Sequence, residues 1–485
     1  MLLAREPVYL LEALGSDSAA AWHLVNFVFF QLGVYLIYRL ARRWLSRWAA
    51  FASAALFSFQ PMLWGHAFIN PKDPPFLVFF LGAVYFGFEM VDTINESANP
   101  SISLGTGNKM RKILLAAFFL GIATSIRVLG PLAGSLVFVY SLVSPRRGLK
   151  SPPTFTKSAE ADSPHVQPPS GSLHTAQNDN DKNLHVSASR WLKTTLLYVA
   201  IAIVIMLAAW PYLWPDPIAR FMEVFGLMSE NPTHLKVLFN GELYSANELP
   251  RRYLPFLLAT TLTEPAWPLF IVGLTAILWK LKKLDTSQRV TLSLTLLWFL
   301  IPFFYVLLRR PPMYDGLRHF LFIVPPIFVF IGFAFEFLVE KTRIYWLRAS
   351  LVFLILLPGI FGIAQLHPYE YTYYNSLIGG TSGVFRKYET DYWLTCYKEA
   401  VEQFNQITPT LANLFVKREA YIAKYYASEG IIVQEIRGAL NEIEPGDYVL
   451  VNTRSNEDRG FFNEAHPVLK IRRGEALFCE IKQAP

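Results

Sequence analysis

Gly65-His66-Ala67-Phe68-Ile69-Asn70-Pro71-Lys72-Asp73-Pro74-Pro75-Phe76 is a polar elbow set between two strongly apolar runs, Trp48 to His66 and Phe76 to Val91. Proline fixes its own backbone and removes a donor, so Pro71, Pro74 and Pro75 end one helix and open the next. Both runs approach the roughly 20 residues that cross a hydrocarbon core. Lys72 and Asp73 are thereby held at a membrane boundary. An ionisable side chain at such a depth costs free energy unless it meets water, a partner or a substrate, which makes it a functional candidate by default.

The rest of the chain follows the same pattern. Of its 485 residues 53% are hydrophobic and only 17% charged, a composition far from that of a soluble domain. Ten apolar segments are expected to span: Ala20–Leu40, Trp48–His66, Phe76–Val91, Ile113–Arg127, Leu129–Val143, Thr194–Leu213, Ala266–Trp279, Val290–Leu308, Phe320–Leu338 and Tyr345–Ala364. The segments at Ile113 and Leu129 are short enough to be one bent unit. The expected fold is an α-helical polytopic membrane protein of about ten transmembrane helices with a small C-terminal α/β domain.

Basic residues orient these spans, because Lys and Arg in short loops stay on the cytoplasmic side. Arg39, Arg42, Arg43 and Arg47, then Lys109, Arg111 and Lys112, then Arg146, Arg147 and Lys150, then Lys280, Lys282 and Lys283, then Lys341 and Arg343 all fall on one side. The N-terminus, the Lys72-Asp73 elbow, the loop 214–263, the loop 309–319 and the C-terminal tail then face outward, in the plasma membrane of a cell. Lys72, Arg309, Arg310 and Arg318 break the rule by lying in short outward loops. They either snorkel to the interface or form a basic cluster for an anionic group, and Arg suits bidentate phosphate recognition. The net charge of +7 is largely that of the cytoplasmic loops and calls for no nucleic acid.

Four regions are expected. Residues 1–143 form an N-terminal membrane region with the outer elbow around Lys72-Asp73. Residues 144–193 are a Pro- and Ser-rich insert, too polar to order itself and so read as disordered. A second membrane region covers 194–365, with a long outer loop at 214–263, and an extracytoplasmic α/β domain covers 366–485. Cys396 and Cys479 both lie in that domain. They pair if the fold brings them together, and otherwise remain two structural thiols.

Three outward stretches combine carboxylates, cations and aromatics: His66 to Pro75, Tyr314-Asp315-Gly316-Leu317-Arg318-His319, and Tyr388-Glu389-Thr390-Asp391-Tyr392-Trp393. Asp73 is a candidate catalytic carboxylate, or a ligand for a divalent metal, and equally a helix cap. Asn70, Lys72, Arg309, Arg310, Tyr314, Asp315, Arg318 and His319 are candidate substrate-binding residues. Asp315 is also suited to orienting Arg318, and His319 serves either as a proton shuttle or as a helix cap. Gly379, Gly380 and Gly383 read as a connector rather than a phosphate loop.

On these residues, the elbow 65–76 with the stretches 314–320 and 388–393, the chain resembles the polyprenyl-phosphate-dependent glycosyltransferases of the GT-C superfamily. That superfamily includes the protein O-mannosyltransferases and the lipid A aminoarabinose transferase. The resemblance implies a multispanning enzyme moving a sugar from a polyprenyl-phosphate donor to a glycan, lipid or protein acceptor on the outer face. By the same resemblance Asp73 matches the acidic residue of the second outer loop, and Arg318 the arginine that meets the donor phosphate. Such enzymes begin with a further helix and an outer loop bearing an acidic motif, which this chain is expected to lack: Glu6, Glu12 and Asp17 are the acids before the first span, and none forms an Asp-Glu pair. The competing expectations are a non-catalytic relative and a transporter of an anionic lipid or solute. A transporter places its polar features near the bilayer midplane, whereas here the charges gather at one face.

Overall fold

The computed structural model describes residues 2–96, 106–144, 172–230, 233, 235–342, 344–408, 411–437, 440–462 and 465–485. Each of the ten expected spans is largely helical, and among the described residues six helices are long and apolar enough to cross a membrane: Ser18–Ala41, Asp73–Asn95, Trp191–Ala209, Thr286–Arg309, Arg318–Lys341 and Tyr345–Leu366. A seventh arises if Tyr253–Thr261 and Ala266–Lys283, bent by 98°, count as one. Of the remaining expected spans, Ile113–Arg127 lies, apart from Arg127, in the 21-residue helix Thr106–Ile126, whose first turns carry Lys109, Arg111 and Lys112, and the others are shorter or interrupted helices. The chain divides into two compact units, one of residues 78–222 and 281–295, the other of 2–77, 223–280 and 296–485.

In the first unit the helices Thr106–Ile126 and Ser172–Ala209 lie against each other, and a Cβ on Gly121 would meet the Ala202 carbonyl at 2.6 Å. Glycine is what lets the two backbones approach, as is common between membrane helices. The Tyr140 hydroxyl donates to Asp92 and lies 2.5 Å from Ser287 Oγ, a polar clasp in an apolar setting. This unit also lines an apolar cavity of about 610 Å³. Of the insert expected at 144–193, residues 145–171 lie outside the described residues, and from Ser172 onward the chain is already in the helix that continues into the membrane. Once an apolar segment nucleates a helix, each further residue is added cheaply.

The second unit carries the elbow. The run expected as one span, Trp48 to His66, is two helices, Arg47–Ser58 and Pro61–Ile69. Pro61 has no N–H to give and its ring crowds the preceding turn, so the helix restarts there. Gln60, wholly buried at the break, closes the gap: its amide donates to the Leu56 carbonyl and to Thr263 Oγ1, each at 2.9 Å, and accepts from the Thr263 amide at 2.9 Å. Likewise the span expected at Phe320 opens as a 3₁₀ segment, Arg318–Ile323, before Pro325 and Pro326 start the α-helix Val324–Lys341. Within the stretch 214–263 lie a helix Pro217–Glu230, a hairpin of β1 (Lys236–Phe239) and β2 (Glu242–Ser245), and a helix Tyr253–Thr261.

The C-terminal region forms a five-stranded mixed sheet from β3 (Ala412–Val416), β4 (Ile431–Glu435), β5 (Tyr448–Asn452), β6 (Pro467–Arg473) and β7 (Ala476–Gln483). The order is β4-β3-β5-β7-β6, with β3 parallel to both β4 and β5, and β7 antiparallel to β5 and β6. The strongly amphipathic helix Cys396–Ile407 buries Tyr397, Ala400, Val401 and Phe404 in a core with Leu414, Leu450 and Phe478. Cys396 and Cys479 are joined as a disulfide.

Gly65, the first residue of the elbow, faces the backbone of Tyr371 so closely that a Cβ would strike its amide nitrogen. Backbone cannot yield as a side chain can, so Gly65→Ala is expected to cost about 1–3 kcal/mol or more. The check is a lowered melting temperature of the purified protein in detergent; an unchanged one contradicts the close approach.

Candidate functional site

The three polar stretches that the sequence singles out meet in the second unit. Asn70, the last residue before the elbow's prolines, is buried, and its side-chain Oδ1 accepts from the backbone N–H groups of Lys72 at 3.1 Å and Asp73 at 3.0 Å. This side chain thus takes the turn that opens the helix Asp73–Glu96. Its amide nitrogen donates to Asp73 Oδ2 at 2.8 Å. Asp73 is 2% exposed, so its carboxylate is fixed in orientation and withdrawn from water.

From the second stretch, the Arg318 guanidinium lies 3.9 Å from Asp73 Oδ2 and 2.9 Å from Asp315 Oδ2. Asp315 and Gly316 both adopt left-handed backbone, φ 56° and 65°, a conformation open chiefly to Gly and to short polar residues such as Asp. A Cβ on Gly316 would also crowd the Tyr392 hydroxyl at 3.2 Å. From the third stretch, the Trp393 indole donates to Asp315 Oδ2 at 3.3 Å, and the Tyr392 hydroxyl lies 3.1 Å from His66 Nε2. Arg318 stacks between the rings of Tyr314 and Trp393, its central carbon 5.1 and 5.2 Å from their centroids. Such stacking holds a guanidinium flat without consuming its N–H groups, and Arg318 Nε is buried with no hydrogen-bond partner.

Not every expected residue joins this cluster. Lys72 is exposed at the elbow's surface. Arg309 and Arg310 are exposed at the end of the helix Thr286–Arg309, and among the described residues no ion pair ties them to Asp73 or Asp315. The His319 ring packs edge-on against Tyr314, 4.7 Å between centroids, in the first turn of the Arg318 segment. As to a divalent metal, among the described residues no three His, Cys, Asp or Glu side chains group to hold one. The neighbours of Asp73 include an amide and a guanidinium, so the donor set there suits an anion better than a cation.

Other groups at the site had weaker signals in the sequence. Asp391 accepts from Tyr371, from the amides of Thr395 and Cys396 at 3.0 Å each, and from Thr395 Oγ1 at 3.1 Å. Even so its burial raises its pKa. Glu389 is also buried, and neither carboxylate oxygen has a hydrogen-bond partner of normal geometry. Burial pushes its pKa up to about 8, against the opposing pull of Arg454 and, more weakly, of the Gly316 amide. Both acids stand in a stretch whose composition draws attention, without assigning either a role. Arg454 had no local signal. It arrives from the end of β5, placing one nitrogen 2.6 Å from Asp315 Oδ1 and donating with another to the Tyr392 carbonyl at 2.7 Å.

Residues 8–159 match the family model described as dolichyl-phosphate-mannose-protein mannosyltransferase. The matched stretch contains the elbow 65–76, one of the three on which the resemblance rests, and together with the multispanning helical fold it agrees with that resemblance. Among solved structures, ArnT from Cupriavidus metallidurans bound to undecaprenyl phosphate is similar at 12% identity and a TM-score of 0.45, over 98% of this chain and 85% of that one. The Archaeoglobus fulgidus oligosaccharyltransferase in its apo form is similar at 12% and 0.43, over 90% of this chain and 59% of that one. The arabinofuranosyltransferase AftD from Mycobacteria gives 12% and 0.42, over 98% of this chain and 34% of that one. No curated protein sequence matches significantly.

The raised pKa of Glu389 has a thermodynamic consequence. Between its ordinary value of 4.5 and about 8 the folded state keeps a proton that the unfolded chain releases. The folded state therefore binds more protons in that window, and stability falls as pH rises through it. Glu389→Gln, which imitates the neutral acid, is expected to flatten the decline of melting temperature between pH 5 and 8; a slope identical to wild type means that Glu389 is ionised throughout.

Proposed function

We propose that the protein transfers a sugar from a polyprenyl-phosphate donor to an acceptor at the outer face of the membrane, with the cluster around Asp73 and Arg318 as its active site. One observation carries this reading: a stacked, largely buried arginine with an unpartnered N–H stands beside a buried carboxylate. The first suits the phosphate of a lipid carrier; the second suits the proton of an incoming hydroxyl. The family description matched by residues 8–159, dolichyl-phosphate-mannose-protein mannosyltransferase, supports the same donor class. The outward placement of the site and of the C-terminal domain draws support from the distribution of basic loops and from the Cys396–Cys479 disulfide, a bond that persists in oxidising compartments.

In the proposed chemistry the acceptor oxygen attacks the anomeric carbon from the face opposite the phosphate. The bond from that carbon to the phosphate oxygen breaks, and its electron pair leaves on the lipid phosphate. Asp73 takes the acceptor's proton, held toward it by the Asn70 amide. Arg318 neutralises charge as it develops on the departing phosphate, with Tyr314 and Trp393 keeping its plane fixed so that little reorganisation is needed. Exposed Lys72, on the turn before Asp73, is placed to draw the anionic donor in. The sugar and the acceptor are left to selection by groups that this cluster does not specify.

The direct check is transfer of labelled sugar from a polyprenyl-phosphate donor by the protein in proteoliposomes. Arg318→Ala is expected to lower kcat by about 100- to 1,000-fold, and Asp73→Asn to act similarly, both at normal expression. Full transfer by Arg318→Ala contradicts the assignment.

A further inference from the structure

Arg318 is not held by its own segment alone. Asp315 Oδ2 receives Arg318 at 2.9 Å and the Trp393 indole at 3.3 Å, while Asp315 Oδ1 receives Arg454 at 2.6 Å. Arg454 lies 139 residues further along the chain, in the turn that leaves β5. That turn is itself firmly tied down. Its residues Ser455 and Asn456 stand in left-handed backbone at φ 54° and 57°, Asp458 receives Arg386 at 2.5 Å, and Glu457 pairs with Arg418. Non-glycine residues adopt that conformation at a cost and persist in it where surrounding contacts impose it. The turn needs a reason to be held so.

We infer that Arg454 is a positioning residue for the transfer reaction: by clamping Asp315 and the Tyr392 carbonyl, it aims the Arg318 guanidinium, so that the C-terminal α/β domain completes the active site. Both prongs of Arg454 are used, one on the carboxylate that orients Arg318 and one on the backbone between Asp391 and Trp393. The residue it steadies there, Trp393, is one face of the stack around Arg318. The result is an alternating series Arg454, Asp315, Arg318, Asp73, in which each charge fixes its neighbour. Without Arg454, Asp315 keeps Arg318 and Trp393 on one oxygen only, and is free to rotate. The domain's role is then built into catalysis rather than limited to covering the site. This inference rests on the reading of Arg318 as the group that meets the donor phosphate.

The test uses the full-length protein in lipid nanodiscs, with farnesyl phosphate as the binding probe and a farnesyl-phosphate-linked sugar as donor. Arg454→Gln is expected to lower kcat by about 100-fold, the loss that follows from misplacing a catalytic group by an ångström, and to weaken binding of farnesyl phosphate. Arg454→Lys keeps the charge but not the two-pronged reach and recovers only some of the loss, which also serves if the Gln variant fails to fold. In an Arg318→Ala background the further change from Arg454→Gln is expected to be less than about 2-fold, because both substitutions remove one device. Losses that multiply in the double variant, or an Arg454→Gln protein with wild-type kcat and binding, overturn the inference while leaving Arg318 in place. A wild-type protein that neither binds the phosphate nor transfers sugar overturns the functional reading, and the role of Arg454 with it.

Discussion

The site depends on one electrostatic arrangement: a buried series of alternating charges, Arg454, Asp315, Arg318 and Asp73, drawn from separate places in the sequence. Desolvating a single charge costs several kcal/mol, and a neighbouring opposite charge repays this only when the geometry is good and the remaining lone pairs and protons are satisfied. Here Asn70 serves Asp73, Trp393 serves Asp315, and the Tyr392 carbonyl serves Arg454. The exception is Arg318 Nε, left without a partner. An arrangement satisfied at nearly every position except one cationic donor is poised to accept an anion, and that atom is where the proposed activity begins.

The backbone around the series is shaped to the same end. Pro61 breaks the preceding helix, Gln60 closes the break, and Gly65 lets the segment run against Tyr371, so that the elbow at Asn70 is delivered to Arg318 rather than left in a surface loop. On the other side, left-handed Asp315 and Gly316 turn the chain sharply enough for Asp315 to reach back to Arg318, three residues on. Each device trades some local stability for placement. Local rules broken in this way tend to cluster at functional sites.

Much of this was legible in the sequence. Ten apolar segments foretold the helices, and residue types marked out 66–75, 314–319 and 388–393 as the polar stretches to watch, while their meeting in space could be read only from the fold. Other features had no local signature. The break before Pro61 hides inside an apolar run, where hydropathy reads one span. Arg454 follows an unremarkable strand, and only the sheet's topology, with β5 between β3 and β7, carries it to Asp315. Arg309 and Arg310 looked equal to Arg318 as basic residues in an outward loop, yet they end exposed, since charge placement alone does not say which arginine a turn will fold inward. The disulfide, open between two possibilities in the sequence, was likewise decided by packing, with Cys396 and Cys479 both in the domain core.

The proposed activity stands or falls on where a lipid phosphate sits, and a structure of the protein with a polyprenyl phosphate bound measures that directly. The prediction is a phosphate oxygen about 2.7–2.9 Å from an Arg318 N–H, the usual length of a charge-assisted bond, with Asp73 and Asp315 still at the guanidinium's other edge. A phosphate bound elsewhere, with Arg318 Nε still unpartnered, contradicts it.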